Sequence, residues 1–228
     1  MTGAVLRTAR LNAKCTQQDA ASRLGLTQAY LSMLERGHRP VTSSLATRTL
    51  KVFDLPPTAL PLESNNSRVL KDDEMKSDLG ALGYPGFSYL RGRPKHNPAR
   101  LLFNALNKSD VDARVVEALP WLTYTFVDMD WEWLLLNAKI HDRQNRLGFV
   151  VELAGEVAER AGDVRRLKTL LQHQSCLLRS RLMQEDTLCH ESMTETERNW
   201  LRRNRPPEAA RWNLLTDLEE RHLPYAPA

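Results

Sequence analysis

The sequence predicts an all-α protein with a small N-terminal helical domain and a larger C-terminal helical one. Three observations predict it. Apolar residues recur at three- and four-residue spacing along most of the chain, which places them on one helix face. Ser, Thr and Asp begin many of these stretches and glycine ends several, the residues that satisfy or terminate helix ends. No stretch alternates apolar and polar residues over the length of a strand.

The elements follow in chain order. Residues 3–13 form a first helix with Val5, Leu6, Ala9 and Leu11 as candidate core. Thr16 is an N-cap, with Asp19 three residues on in a capping-box-like arrangement, and the second helix runs to Leu24. Gly25 breaks it, because glycine takes a left-handed backbone without strain. Thr27 caps a third helix that runs to about Arg36 and ends at Gly37. Thr42 or Ser43 begins a fourth through Phe53, and Pro56-Pro57 opens a short fifth.

Residues 62–98 change texture. The run 63–67 is polar, 71–78 is dense in charge, and 80–92 is rich in Gly and Tyr. This reads as a partly ordered linker whose aromatics, Tyr84, Phe87 and Tyr89, pack on something. From Ala99 helical spacing returns in a domain spanning 99–228. Leu101, Leu102, Ala105 and Leu106 make one stripe, and Val111, Val115, Val116 and Leu119 another that Pro120 stops. Helices are predicted over 130–143, 147–161 (ended by Gly162) and 164–183. Thr194 and Glu197 form a capping box for a helix to Arg203, and Pro206-Pro207 starts a last helix to about His222.

Composition bounds the function. Of 228 residues, 42% are hydrophobic, enough for a buried core, yet no apolar run reaches membrane-spanning length. A secretory leader is not evident, so the expectation is a soluble, cytoplasmic protein. The three cysteines, Cys15, Cys176 and Cys189, are odd in number and far apart, which predicts reduced thiols. Through Leu60, eight Lys or Arg stand against three acids, a net +5, while the remainder carries 24 basic and 25 acidic groups, a net −1. The excess positive charge of the chain therefore lies in its first quarter, as a polyanion-binding domain requires.

That quarter carries a motif. Arg10, Thr16-Gln17, Ala21, Gly25-Leu26-Thr27-Gln28, Leu31-Ser32, Leu34-Glu35 and Gly37 resemble the lambda-repressor-like helix-turn-helix family, the Xre/Cro group, over roughly residues 6–60. One departure is Ala20, where the family usually has leucine. The resemblance implies a five-helix DNA-binding domain over 1–61, with the third helix as recognition helix. It also implies that Gln17 donates to a phosphate and that Arg10 and Glu35 form a structural ion pair. The spacing supports the same architecture independently: Gly25 permits the tight turn, and Leu24, Leu26, Leu31 and Leu34 can lock two helices together.

Thr27, Gln28, Ala29, Ser32 and Met33 then fall on or near the exposed N-terminal face of the recognition helix, the end that enters the major groove. Gln28 is the leading base reader, since a glutamine amide can bond adenine N6 and N7 together. Thr27 and Ser32 can donate to base or phosphate, and Ala29 can touch a thymine methyl. Tyr30 either flanks the backbone or packs. Arg39 in the loop and Ser43 at the head of the fourth helix are candidate phosphate contacts, which position a protein without reading sequence.

The C-terminal part shows less chemistry. Trp121, Trp131 and Trp133 lie among Asp128, Asp130 and Glu132, either as an acid-base pair beside aromatics or, on the plainer reading, as core anchors with acids capping a helix. His173, Cys176, Cys189 and His190 fit no strong zinc spacing. Arg198, Arg202, Arg203, Arg205 and Arg211 make a basic cluster that either touches a partner or is a solvated face balanced by Glu195, Glu197 and Glu208. Phosphate-binding loops, a nucleophile elbow and the zinc-hydrolase helix are absent, so neither catalysis nor a cofactor or metal is expected. The run from Leu82 through Asn97-Pro98, Leu119-Pro120-Trp121-Leu122 and Gln144-Asn145-Arg146-Leu147-Gly148-Phe149 looks similar to bacterial regulators encoded beside toxin-like or defence genes. The expected partners are double-stranded DNA at a palindromic operator, a second copy of the chain, and either a cognate toxin (or other protein) or a small ligand; no membrane partner is expected.

Overall fold

The structure, a computed structural model, describes residues 1–62, 69–90 and 92–224. The polar run 63–67 of the expected linker lies outside the described residues. Among the described residues, twelve α-helices and one two-residue parallel strand pair make the fold all-α. The chain divides into two compact units, residues 1–67 with 93–97, and residues 68–92 with 98–228.

The first unit holds α1 (Gly3–Asn12), α2 (Gln17–Leu24), α3 (Gln28–Glu35) and α4 (Ser43–Phe53), followed by a single 3-10 turn, Pro57–Ala59, where a short fifth helix is expected. Thr2, Thr16, Thr27 and Thr42 each cap a helix by accepting a backbone N–H three residues on. Leu6, Ala20, Leu24, Leu31 and Leu34 have no exposed surface, and Cys15, Ala21 and Leu45 are buried with them in that core. Ala20, the departure from the leucine usual in the family it resembles, thus lies in the core. Asn97 returns to this unit, its amide donating to the carbonyls of Thr58 and Leu60 at 2.8 and 2.9 Å.

The second unit begins with α5 (Asp72–Ala81), inside the segment read as linker. Tyr84 and Phe87, both buried, follow it, and the Tyr84 ring packs 5.2 Å from Trp121. Next come α6 (Pro98–Asn107), α7 (Ala113–Thr125), α8 (Trp131–Ile140), α9 (Gln144–Arg160) and α10 (Val164–Leu178). Helix α9 is the hub: its residues 144–155 are all buried, and α7, α8 and α10 pack around it. The remaining elements are β1 (Asp186–Thr187), α11 (Glu195–Asn204), α12 (Pro207–Arg211) and β2 (Leu214–Leu215), with β1 paired to β2 in parallel.

Two expectations are corrected here. Pro120 does not stop its helix, which runs on to Thr125. An internal proline costs about 3 kcal/mol, and the full burial of Val115, Ala118, Leu119 and Leu122 on the same helix offsets it. The last helix ends at Arg211 rather than near His222. There the Trp212 side chain turns into the core against Gly148, and the chain extends to pair with β1.

Candidate nucleic-acid interface

The interface is built on α2, α3 and the glycine turn between them. Gly25 has φ +64°, and the N–H of Leu26 closes the end of α2 on the Ala21 carbonyl at 2.8 Å. Arg48, from α4, donates to the Leu24 carbonyl at 2.8 Å and so satisfies an α2 terminus that would otherwise lack a partner. Leu31 and Leu34 seat α3 in the core, which fixes the rotation of the helix and sends Gln28, Ala29 and Met33 outward.

A polar chain then runs from the core to that exposed face. Arg10 grips Glu35 bidentately, Nε to Oε1 at 2.7 Å and Nη2 to Oε2 at 3.0 Å, and its Nη1 donates to the Cys15 carbonyl at 3.0 Å. Burial opposes the charge on Glu35, but hydrogen bonds from Arg10 and Gln17 outweigh it and hold the carboxyl below its usual range. Gln17 Nε2 donates to Glu35 Oε2 at 2.8 Å, and Gln28 Nε2 donates to Gln17 Oε1 at 2.9 Å.

The direction of each amide follows from the carboxylate at the root. An ionised carboxylate only accepts, so Gln17 must turn its NH2 toward Glu35 and its carbonyl toward Gln28. Gln28 in turn spends one N–H on Gln17 and keeps the second N–H and its carbonyl oxygen for the solvent side. One donor and one acceptor, side by side, match the Hoogsteen edge of adenine.

The remaining predicted site residues lie around this point. Thr27 is exposed and its hydroxyl caps the Tyr30 N–H at 3.2 Å. Ala29 is exposed, Ser32 is half-buried, and Tyr30 packs against the core at its edge. Arg39 is exposed in the loop before α4, and Ser43 is the exposed first residue of α4. Helix N-termini present unpaired N–H groups and partial positive charge, so α2, α3 and α4 each begin at a place suited to an anion. The links from Gln17 to Glu35 and to Gln28, and the Arg48 bond to the Leu24 carbonyl, were not legible in sequence. Two glutamines eleven residues apart carry no spacing signal, and the link appears once the turn brings α2 and α3 together.

The second unit gathers no comparable site from its predicted candidates. Asp130 caps α8 through the Trp133 N–H at 3.0 Å, Trp131 stacks on His173 at 4.0 Å between ring centroids, and Asp128 pairs with Arg165, so the acids and tryptophans do not converge. Among the described residues no group of three or more His, Cys, Asp or Glu is placed to hold a metal. The basic cluster is largely consumed: Arg202 by Glu185 and Glu195, Arg211 by Glu152, Arg198 by the Glu191 carbonyl and Arg205 by the Leu214 carbonyl. No helix among the described residues is long and apolar enough to cross a membrane.

The fold of the first unit is that of a helix-turn-helix domain. In agreement, residues 6–60 match the family model described as Helix-turn-helix, and the chain is a DNA-binding regulator in its N-terminal quarter. No curated protein matches the chain, and no solved structure does.

Proposed function

We propose that the protein is a transcriptional repressor that binds a palindromic operator as a homodimer and is controlled through its second unit, as antitoxins are by their toxins. The observation that carries the DNA reading is the Arg10–Glu35–Gln17–Gln28 chain, which holds one exposed amide in a fixed orientation at the head of α3. Gln28 reads adenine; Thr27, Ala29 and Ser32 contact neighbouring bases or phosphates; Gln17, Arg39 and Ser43 hold the backbone. A single quarter of a chain covers one half-site, and two half-sites about 34–36 Å apart need two copies.

The test begins with selection of tight duplexes from a random pool by the full-length protein. Two inverted half-sites are expected. Gln28→Ala should lose roughly 1–3 kcal/mol of discrimination at one base pair per half-site. Arg39→Ala should weaken all duplexes alike. If both variants bind the selected duplex as the parent does, α3 is not the reading helix.

A second reading has one observation in its favour. A cleft of about 360 Å³ in the second unit is floored by Val116, Leu188, Met193, Leu201 and Leu215, a size that suits a small effector. Native mass spectrometry of the protein from its own cells separates the two: a stoichiometric second protein supports partner control, a retained small molecule supports the effector.

A further inference from the structure

We infer that the outer face of α10 is a docking seam for an acidic amphipathic helix of another protein. This deepens the partner-controlled reading above by naming the surface and the chemistry of what it takes.

The seam is apolar and uncovered. Val164, Leu171 and Leu178 are 75%, 51% and 40% exposed, large values for aliphatic side chains on a helix whose adjacent side, through Leu170 and Leu177, is buried in the core. They stand seven residues apart with Leu167 between the first two. At about 100° per residue all four fall within an arc of about 60°, and the stripe is about 21 Å long at 1.5 Å per residue. A narrow stripe of heptad spacing fits another helix. A lipid surface is met by a wider face with aromatics at its border, and this stripe has none.

The charge selects the partner. Between residues 164 and 182 there are five cations and no carboxylate. Arg165 and Arg166 are paired to Asp128 and Asp163, and Arg181 is bonded to the Arg211 carbonyl. Lys168 and Arg179 border the stripe on one side, beside Gln172, Ser175 and Cys176, and neither has a carboxylate partner among the described residues. A second copy of α10 would set its own Lys168 and Arg179 against these two, four cations at one seam with no carboxylate to answer them. A helix with leucines at heptad spacing and Asp or Glu alongside would bury the stripe and answer Lys168 and Arg179 at once.

The test uses the full-length protein with Leu171→benzoylphenylalanine, irradiated in the cells that make it, and the cross-linked peptide is sequenced. The expected product is a segment of another chain, net acidic, with apolar residues at helical spacing. Its yield should fall at least fivefold when Lys168→Glu and Arg179→Glu are added, and fall with rising salt, while helicity and duplex binding stay unchanged. A cross-link to the α10 of a second copy, to lipid, or to a basic segment overturns the inference, as does the absence of any cross-link. Duplex binding is read separately, so failure of this seam and failure of the DNA reading are distinguishable.

Discussion

At the residue scale, two glutamates show how environment sets what a carboxyl does. Glu35 is held charged by Arg10 and Gln17, below its usual range. The stability it contributes is present above the unfolded value near 4.5 and is lost as pH falls through its lower folded value. Removing one partner strands the other in the core, so Arg10→Ala should cost about 3–5 kcal/mol in denaturant unfolding of the first unit. The loss should also release the amides of Gln17 and Gln28, reducing base discrimination in the folded fraction. Glu156 on α9 has the opposite shift: burial, then repulsion from Glu208, Glu152 and Glu220, raises it from 4.5 to about 7. Between those values the folded state holds a proton that the unfolded state has released, so its contribution to stability falls as pH rises from 4.5 to about 7. Glu156→Gln should flatten that slope, and unfolding midpoints at pH 5 and pH 7 that move in parallel with those of the parent would contradict the assignment.

At the scale of the element, α9 explains why the first unit was more legible than the second. The helices of the first unit announce themselves locally, through Thr16, Thr27 and Thr42 as caps and Gly25 and Gly37 as stops, because each signal acts within four residues of its partner. The same local signals placed Asp130 and the Thr194–Glu197 capping box. Helix α9 instead spends its polar residues on partners some forty residues away. Arg146, wholly buried, grips Asp186 with two bonds of 2.7 Å, reaches Glu191 at 2.9 Å, and donates to the Leu106 and Lys108 carbonyls. Asn145 pairs with the backbone of Leu182 in both directions, at 2.9 and 2.8 Å, as a strand would. No spacing rule exposes such pairs, and the same long-range packing carries α7 through Pro120 and ends α12 early. Gly148 is the tightest of these contacts: a Cβ there would come within 2.2 to 2.5 Å of carbons of the Trp212 ring, whose Nε1 donates to Glu152 at 2.5 Å. Gly148→Ala should therefore cost about 1–3 kcal/mol by overpacking, against the few tenths to one kcal/mol gain that alanine usually brings to a helix interior. A stabilised variant in thermal unfolding would show that Trp212 moves aside freely.

At the scale of the whole molecule, charge divides the labour. The first sixty residues carry +5 and the remainder −1, and in the arginine-rich stretch 198–211 of the second unit Arg198, Arg202, Arg205 and Arg211 are bonded internally. Phosphate contacts release counterions, and each changes the slope of log K against log salt by about −0.9 on duplex DNA. The slope therefore counts the cations that reach the backbone, and substitution can ask which they are. Arg39→Ala should make the slope shallower by about 0.9 for each half-site occupied. Arg202→Ala, which removes a guanidinium engaged with Glu185 and Glu195, should leave it unchanged. The same measurement tests the dimer, because a duplex with one half-site should show about half the slope of the full palindrome if two copies bind it. Equal slopes on the two duplexes would mean that a single copy makes all the phosphate contacts. A change with Arg202→Ala would place part of the DNA-binding charge in the second unit, and the division of charge along the chain would no longer mark the division of function.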